Sequence, residues 1–517
     1  MSATTALVPC RLLHELAVSA QAVGEGKLTE DAFKPLRLSA GAHRQRLGDG
    51  YMLRVRVPGG RLSLDHFAAV ADVAAACASR AHLTLRQDLQ LYHVGLDQVA
   101  KAACELAEQG LSTYASGGST VRNVTCGILG DQDPACAFDP YPYAAALSAR
   151  LSRHPLFNAL PRKFKIGFGG PGREQAQGWL NDLGFLPLLR HGQRGFRLIA
   201  GGGLGASPQN GVEIEPFIAA EMAGPFAEAA LEFFAAVSDP AQPTSNRFKF
   251  TLRALGAEAV RQAIHDRLTG KPLDGRLGAG DKPLGSSLWI EAPLGDLSPL
   301  QLQGLASALR PANAKELRLS FDQRLYVPGL AEAALPGLIA ECTRLGLPAS
   351  PLPALARLVV CTGPQTCNRG LVNSKALGQE LQHLDLPVSL HISGCQNGCS
   401  QHLTAPLSLQ GTVKAGKEGR IPSYVLRAAS HSDGAGIHFG PVLLTLPARR
   451  VKAGLEQLLS AWMQAASGSD LPKWLVAMGS GGLEALLQAA APEGGDIRFD
   501  CGSEKAFEVA LGGSECH

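Results

Sequence analysis

The sequence predicts an α+β fold built twice over, two duplicated halves with pseudo-twofold symmetry. Three observations carry this expectation. Short segments recur in the same order at nearly constant spacing. Pro58-Gly59-Gly60-Arg61-Leu62-Ser63 returns as Pro293-Leu294-Gly295-Asp296-Leu297-Ser298, 235 positions later, and LTLRQDLQLY (83–92) returns as LRLSFDQRLY (317–326), 234 later. Arg122 and Cys126 stand 235 before Arg357 and Cys361, and LPRKFKIGF (160–168) echoes LPVSLHISG (386–394) at 226. The halves, roughly 45–270 and 280–500, also share one succession of strand-like and helix-like patterns. Finally, they divide their chemistry: at matched positions the first half has Arg86, Gln90, Lys163 and Lys165, the second Ser320, Arg324, Ser389 and His391.

Residues 1–44 read as an N-terminal extension. Segment 45–115 opens with a β-rich run, YMLRVRVP (51–58), followed by an alanine-rich helical stretch (63–79). An alternating strand (83–94) and a second helical stretch (96–110) complete it. Segment 116–280 carries Arg122, the LPRKFK strand and glycine clusters at 167–172 and 201–205, which mark loops. The stretch GRLGAGDKPLG (275–285) marks the boundary between halves. Segments 281–350 and 351–517 repeat the two units.

Composition narrows the function. With 45% hydrophobic and 18% charged residues, the 517-residue chain is that of a globular protein with ample core. A net charge of +3 is too small for a nucleic-acid-binding face. No apolar run approaches the roughly 18 residues that span a bilayer, and no secretory leader is apparent, so a cytoplasmic protein off the membrane is expected. In a reducing compartment twelve cysteines are not a disulfide framework. Clustered ones point to metal or redox chemistry.

Four of them cluster. CTGPQTC (361–367) and CQNGC (395–399) form a C-x5-C and a C-x3-C pair, each directly after an apolar strand-like run, ARLVV (356–360) and VSLHI (388–392). Loops at the ends of neighbouring strands can bring four sulfurs onto one iron–sulfur cubane. Gly363, Gly370, Gly394 and Gly398 permit close backbone approach. Structural zinc is the competing reading, but an x5 spacing suits it poorly. The remaining cysteines (10, 77, 104, 126, 136, 342, 501, 516) are expected to be mostly core filler, with Cys516 a free terminal thiol.

The cysteine pattern, LPRKFK and MLRVRVPGG together resemble the sirohaem-containing sulfite and nitrite reductases, over about residues 28–500. The haemoprotein subunit of assimilatory sulfite reductase is the nearest branch. The resemblance implies that family's duplicated haemoprotein fold, with ferredoxin-like half-domains at 45–115 and 281–350. It implies a sirohaem-binding domain with the basic anion site at 116–280, and a [4Fe–4S]- and sirohaem-ligating domain at 351–517. It makes Cys361, Cys367, Cys395 and Cys399 the cluster ligands, with Cys399 also the proximal sirohaem ligand and Asn397 beside it. Arg54, Arg122, Lys163 and Lys165 match the groups that hold the anionic substrate. Arg86, Gln90, Arg247, Lys249 and the glycines of GGGLG (201–205) match cofactor-contacting segments. His82 and Leu85 depart from the family's R-L-T-T-R motif, which puts one sirohaem carboxylate contact in question.

The expected chemistry is physically coherent. Sirohaem carries many carboxylates and sulfite is itself an anion, so the site needs cations in a low-dielectric setting. Arginine offers fixed planar contacts, lysine a movable ammonium that can hand on protons. Each of these residues also has a plain alternative as a solvated strand-face cation. Arg54 and Arg56 alternate along one strand, and only one, Arg54, is expected to face the site. His391 is read as a packed histidine. GGGLG lacks the strand–turn–helix context of a dinucleotide site, so electrons are expected from a separate ferredoxin or NADPH-flavoprotein subunit. The leading expectation is six-electron reduction of sulfite to sulfide in sulfur assimilation, favoured by Lys165 where plant-type nitrite reductases tend to carry asparagine. Nitrite reduction to ammonia and a precorrin-3B synthase-like role in cobalamin synthesis are the alternatives.

Overall fold

The computed structural model describes residues 8–48, 50–239, 246–274, 285–352, 358–416, 419–466, 468–488 and 497–503. The glycine-rich stretch 275–284, Arg357 and Cys516 lie outside the described residues.

The first unit comprises α1 (Cys10–Gly24), α2 (Glu30–Ser39), β1 (Ala42–Arg44), β2 (Tyr51–Arg56), β3 (Arg61–Ser63), α3 (Leu64–Cys77), β4 (Arg80–Leu83), β5 (Asp88–Val94) and α4 (Val99–Glu108). Ser63 ends β3 and caps α3, its hydroxyl accepting from the His66 N–H at 3.1 Å. Strands β1, β2, β5 and β4 form an antiparallel sheet. Alternation along β2 sends Leu53 and Val55 into a core shared with Leu89, Leu91, Phe67 and Val70, and leaves Arg54 and Arg56 on the other face. Leu16 of α1 and Phe33 of α2 are buried in the same core.

Next come β6 (Thr125–Cys126), α5 (Tyr141–Leu151), β7 (Ile166–Phe168), α6 (Ala176–Trp179), β8 (Leu183–Arg190), β9 (Gln193–Ala200), β10 (Val212–Ala219), α7 (Ala223–Val237), α8 (Phe248–Leu255) and α9 (Ala257–His265). β6, β7 and β8 run parallel, and β9 and β10 are added antiparallel. Phe168 and Phe185 stack across this sheet at 4.6 Å, with Phe196 edge-on to both.

The first succession then repeats as β11 (Ser286–Glu291), β12 (Asp296–Leu297), α10 (Pro299–Leu309), β13 (Glu316–Leu319), β14 (Arg324–Leu330), α11 (Leu335–Arg344) and β15 (Ala349–Ser350). Ser298 caps α10 as Ser63 caps α3. The halves exchange a strand: β3 pairs with β13, and β12 pairs with β4. Equivalent turns release each exchanged strand. Gly59 and Gly60 have φ of 61° and 73°, and Leu294 and Gly295 have 53° and 80°. Leu294 therefore holds a left-handed conformation that costs a non-glycine residue roughly 1–2 kcal/mol.

The register of the repeat differs from the sequence expectation at several strands. Cys126 corresponds to Val360 rather than Cys361, since their N–H groups bond Gln87 and Gln323 alike. Ile166–Phe168 corresponds to Leu390–Ile392 at 224 rather than 226, so Lys165 is matched by Ser389 and not His391. β4 and β5 superimpose on β13 and β14 at an offset of 236, not 234. A two-residue slip preserves the inward and outward alternation of a strand, so the sequence pattern alone accepts either register. The counterpart of Arg86 is thus Asp322 rather than Ser320, and that of Gln90 is Tyr326 rather than Arg324.

The last unit contains β16 (Leu358–Val360), α12 (Ser374–Leu381), β17 (Leu390–Ser393), β18 (Leu407–Gly416), β19 (Gly419–Ala428), a hairpin of β20 (His431–Asp433) and β21 (Gly436–His438), β22 (Val442–Pro447), α13 (Val451–Ala466) and α14 (Leu471–Gln488). Strands β16, β17 and β18 are parallel and β19 and β22 antiparallel, the topology of β6–β10 again. The fold is the duplicated α+β architecture that the repeats imply. No described helix is long and apolar enough to cross a membrane.

Candidate active site

The two thiol loops leave the ends of the parallel strands β16 and β17. The Cys361 N–H extends the ladder to the Ile392 carbonyl at 3.1 Å, so the first thiol is placed by sheet geometry. Its sulfur accepts from the Gly394 N–H at 3.1 Å and lies 3.2 Å from Ser374 Oγ. The Arg369 N–H donates to Cys367 sulfur at 3.4 Å, and the Asn397 N–H donates to Cys395 sulfur. Gly363 (φ 72°) and Gly398 (φ 67°) make the turns, and at Gly370 a Cβ would sit 2.7 Å from Pro364 Cα. Cys395 is buried, Cys361 and Cys367 are half-buried, and Cys399 is exposed.

The other three thiols act on Cys395. Burial pushes the Cys395 thiol far above its ordinary range, and Cys399, Cys361 and Cys367 push it further. Four gathered thiols, three of them with a backbone N–H aimed at the sulfur, suit a cationic iron–sulfur core, which would stabilise them as thiolates. The residues present therefore fit a [4Fe–4S] cluster.

Beneath the second loop lies a closed polar network. Ser393 Oγ and Ser400 Oγ are 2.6 Å apart, and His402 Nδ1 lies 3.0 Å from Ser393 Oγ. His391 Nδ1 lies 2.6 Å from the Ser400 carbonyl, and burial lowers the imidazole to about 4. A neutral ring donating to that carbonyl is a packed histidine, as read from the sequence. Of the other described cysteines, Cys126, Cys342 and Cys501 are buried, Cys77, Cys104 and Cys136 half-buried and Cys10 exposed.

Opposite the thiols the first half gathers its cations. Arg54 Nη1 and Arg122 Nη1 both donate to the Ser116 carbonyl, at 2.7 and 3.0 Å, and Arg122 Nη2 reaches the Gly118 carbonyl at 2.8 Å. Gln90 pairs with Arg54 across β2 and β5. With its amide oxygen turned toward Arg54 it accepts from Nε (3.1 Å) and Nη2 (2.8 Å), and its amide nitrogen donates to Tyr92 Oη. Arg86 donates to Asn181 Oδ1 at 2.9 Å and the Asn123 carbonyl at 2.5 Å. Arg247 donates to both oxygens of Asp182 at 3.0 Å, and the Lys165 N–H donates to the same carboxylate at 2.9 Å. Lys249 Nζ reaches the carbonyls of Leu204 and Ser207.

The charges are crowded. Burial and then Arg86, Arg247 and Lys163 hold the Lys165 ammonium well below its ordinary range, and Asp182 only partly opposes them. Burial lowers Arg86 to about 10 and Lys249 to about 8, with Arg247 contributing to both. Burial raises the Asp88 carboxyl while Arg54, Arg56, Arg86 and Arg122 pull it down. Such an excess of buried positive charge is what a polyanionic macrocycle or an oxyanion would neutralise.

The expectation that Arg54 and Arg56 face opposite ways is corrected. Two residues apart on a strand, they share a face, and both act on Asp88. What separates them is that Arg56 Nη1 is held by the Ala115 and Val121 carbonyls and its guanidinium lies over Phe157 at 4.9 Å.

Among the contacts that join the basic half to the thiol half, three lie beside the thiol loops or the loops that meet them. Tyr92 hydrogen-bonds Thr362, next to Cys361. Gln177 Nε2 donates to Gln401 Oε1 at 2.9 Å, and Gln401 donates on to the Leu85 carbonyl. The GGGLG loop meets the CQNGC loop, since a Cβ on Gly398 would lie 3.4 Å from Leu204. At Gly202 a Cβ would lie 2.0 Å from the Trp179 carbonyl, so that loop can pack there only as glycine. His82 does not point among these cations: its Nδ1 lies 2.6 Å from Asp296 Oδ1 on the exchanged strand β12. Sequence reasoning missed Asp88, Asp182, Asn123, Asn181, Gln177 and Gln401. Only Asp88, inside the LRQDLQ motif, carried a sequence signal.

The twofold counterpart of the site is built differently. Where the first half pairs Arg54 with Gln90, the second pairs Trp289 with Tyr326, rings 4.7 Å apart, with Arg324 over the indole at 4.3 Å. The cavity beside them, about 640 Å³, is lined by Glu291 and Asp322 as well as Arg324. Carboxylates and a tilted ring pair stand there in place of the cations of the first half.

Known proteins resemble this chain throughout these regions. Residues 43–109 and 283–345 match the family described as Nitrite/Sulfite reductase ferredoxin-like half domain. Residues 117–272 match the Nitrite and sulphite reductase 4Fe-4S domain, in the half that lacks the four cysteines. The chain is 26% identical over 450 residues to the chloroplastic ferredoxin–nitrite reductase of Zea mays, covering 79% of this chain and 78% of that one. It is 28% identical over 424 residues to the ferredoxin–nitrite reductase of Synechococcus elongatus, covering 76% and 82%. It is 24% identical over 417 residues to the ferredoxin sulfite reductase of Mycobacterium tuberculosis, covering 74% and 73%. The structure of the Mycobacterium tuberculosis NirA protein superimposes with a TM-score of 0.77 at 19% identity, over 92% of this chain and 98% of that one, a likeness of fold.

Proposed function

We propose that this chain, which belongs to the nitrite and sulfite reductase family, reduces sulfite to sulfide by six electrons at a sirohaem coupled to a [4Fe–4S] cluster. The observation that carries the reading is the meeting of a crowded basic face with the two loops that gather four thiols. In this reading Cys361, Cys367, Cys395 and Cys399 would hold the cluster, and Cys399, the exposed one, would also hold the sirohaem. Arg86, Gln90, Arg247, Lys249 and Asn397 hold the macrocycle and its carboxylates. When bound, the macrocycle supplies the redox iron and the cluster supplies single electrons.

The chain's own residues bind the anion and move its protons. Arg54 and Arg122 are tethered to one carbonyl, Ser116, which fixes two guanidiniums side by side for an oxyanion. Lys165 is the proton-handling residue. Its ammonium is disfavoured by burial and by Arg86, Arg247 and Lys163 until an anion enters, so substrate charge and Lys165 protonation rise together. A doubly charged anion draws more from four such cations than a singly charged one, which favours sulfite. Nitrite is the second reading, supported by the names of the Zea mays and Synechococcus elongatus relatives. Those names also support a ferredoxin as electron donor, over an NADPH-flavoprotein subunit. Thiolates awaiting a cluster need a reducing compartment, and we read the protein as cytoplasmic.

The test is steady-state reduction of sulfite and nitrite side by side with reduced methyl viologen as donor. The higher kcat/KM is expected for sulfite, and for sulfite it should fall as pH rises, a trend Lys165→Met abolishes. A nitrite kcat/KM far above that for sulfite overturns the substrate assignment.

A further inference from the structure

The hairpin β20–β21 stands apart from the reducing site. It leaves the thiol-bearing half and docks on the basic half just beyond the GGGLG loop. Asn210 holds it from both sides, its Nδ2 donating to the Ile437 carbonyl at 2.6 Å and its Oδ1 accepting from the Ile437 N–H at 3.0 Å. Arg197 donates to the Gly434 carbonyl at 3.0 Å, and Ile437 is buried with Trp179, Leu180 and Ile199. One face of the ribbon is thus committed to the domain contact.

The other face carries His431, Asp433 and His438, all exposed. His431 and His438 are a directly opposed cross-strand pair, and Asp433 is two residues from His431, so alternation puts all three on the outer face. Their donor atoms lie within 4.8 Å of one another. The imidazoles stack at 4.5 Å with their planes 16° apart. Asp433 Oδ1 is engaged by the Ala435 N–H at 2.8 Å, leaving Oδ2 toward His438 Nε2 at 2.9 Å. His431 Nδ1 lies 3.3 Å from the Ala429 carbonyl. Donating there fixes the tautomer whose Nε2 carries the lone pair, the arrangement metal-bound histidines adopt.

We propose that this face binds one divalent transition-metal ion of the zinc class through His431 Nε2, Asp433 Oδ2 and His438 Nε2, with water as the fourth ligand. Two imidazoles and one carboxylate suit such an ion and not calcium or magnesium, which take oxygen donors. Ligand atoms around tetrahedral zinc lie about 3.4 Å apart at bond lengths near 2.1 Å. Closing from the present spacing needs only side-chain rotation at exposed positions. The three side chains stand exposed on the ribbon, so the ion acts as a clasp. By tying β20 to β21 it stiffens the hairpin that fastens the thiol half onto the GGGLG side of the basic half.

The experiment uses the cofactor-loaded full-length protein and Zn²⁺ alone, titrated calorimetrically into wild type and His431→Gln/His438→Gln. Wild type should take up one more Zn²⁺ per chain than the double variant, with a rise in thermal midpoint that the variant lacks. Asp433→Asn, which keeps the Oδ1 bond to Ala435, should bind at least tenfold more weakly. An unchanged sirohaem spectrum certifies that each variant is folded. A single equivalent of Cu²⁺ should give an EPR signal with couplings from two imidazole nitrogens in wild type only. Equal Zn²⁺ uptake and equal thermal shifts in wild type and double variant would overturn the proposal, as would a Cu²⁺ signal unaffected by the substitutions.

Discussion

Gln87 and Gln323 are twofold equivalents that cross-link the halves in the same way. Both hold a left-handed backbone, φ 57° and 63°. Gln87 Nε2 donates to the Leu319 carbonyl of the other half at 2.9 Å and to the Cys126 carbonyl at 2.8 Å, while its Oε1 accepts from the Cys126 N–H at 2.9 Å. Gln323 Nε2 donates to the Leu83 carbonyl at 3.2 Å and the Val360 carbonyl at 2.8 Å, and accepts from the Val360 N–H at 2.9 Å. Gly60 and Gly295 make room, since a Cβ on either would lie 2.4 Å from the amide nitrogen. Each glutamine ties the exchanged-strand unit to the strand, β6 or β16, from which one face of the site departs.

Replacing either glutamine by leucine strands buried carbonyl and N–H groups, each costing about 1–3 kcal/mol. Gln87→Leu and Gln323→Leu should therefore lower the thermal midpoint by similar amounts. Calorimetry of both variants checks this, and a large loss in one with none in the other would contradict equivalence.

Arg54 and Arg56 should separate function from stability. Arg54→Ala removes a guanidinium from the anion face, and kcat/KM should fall roughly 100-fold with a small change in midpoint. Arg56→Ala strips the buried carbonyls of Ala115 and Val121 of their shared donor, each stranded carbonyl costing about 1–3 kcal/mol. Kinetics and thermal unfolding on both variants decide it, and a reversed pattern refutes the assignment.

Acid should loosen the protein while leaving its arginines and lysines charged. Burial lowers His82, His391 and His402 to about 4 from the usual 6.5. Between those values the unfolded chain takes up protons that the folded chain refuses. Stability therefore falls as pH drops from about 6.5 toward 4, by about 1.4 kcal/mol per pH unit for each histidine. Urea midpoints measured across this range should show the slope, and His391→Gln should make it shallower. An unchanged slope would mean His391 is already protonated in the fold.

Much of this was legible in the sequence. The recurrences at Pro58/Pro293 and at Ser63/Ser298 announced the duplication because turns and caps depend on local residue chemistry. The cysteine spacing announced the thiol loops for the same reason. What was hidden is non-local. The reciprocal exchange of β3 and β12 leaves no sequence mark, and the two-residue register error arose because strand alternation is blind to a slip of two. Asp182, Gln177 and Gln401 earn their places by partners far away in the chain. The Trp289–Tyr326 pair became readable as the counterpart of Arg54–Gln90 only once the register was known.

The most direct measurement is the absorption spectrum of the purified protein, followed through turnover with reduced methyl viologen and sulfite, for wild type and Cys399→Ser. The account predicts a Soret band and a red chlorin-type band in wild type, with sulfide released. In Cys399→Ser the haem–cluster coupling and activity should be lost. A wild-type protein showing neither band, or a fully active Cys399→Ser, would contradict it.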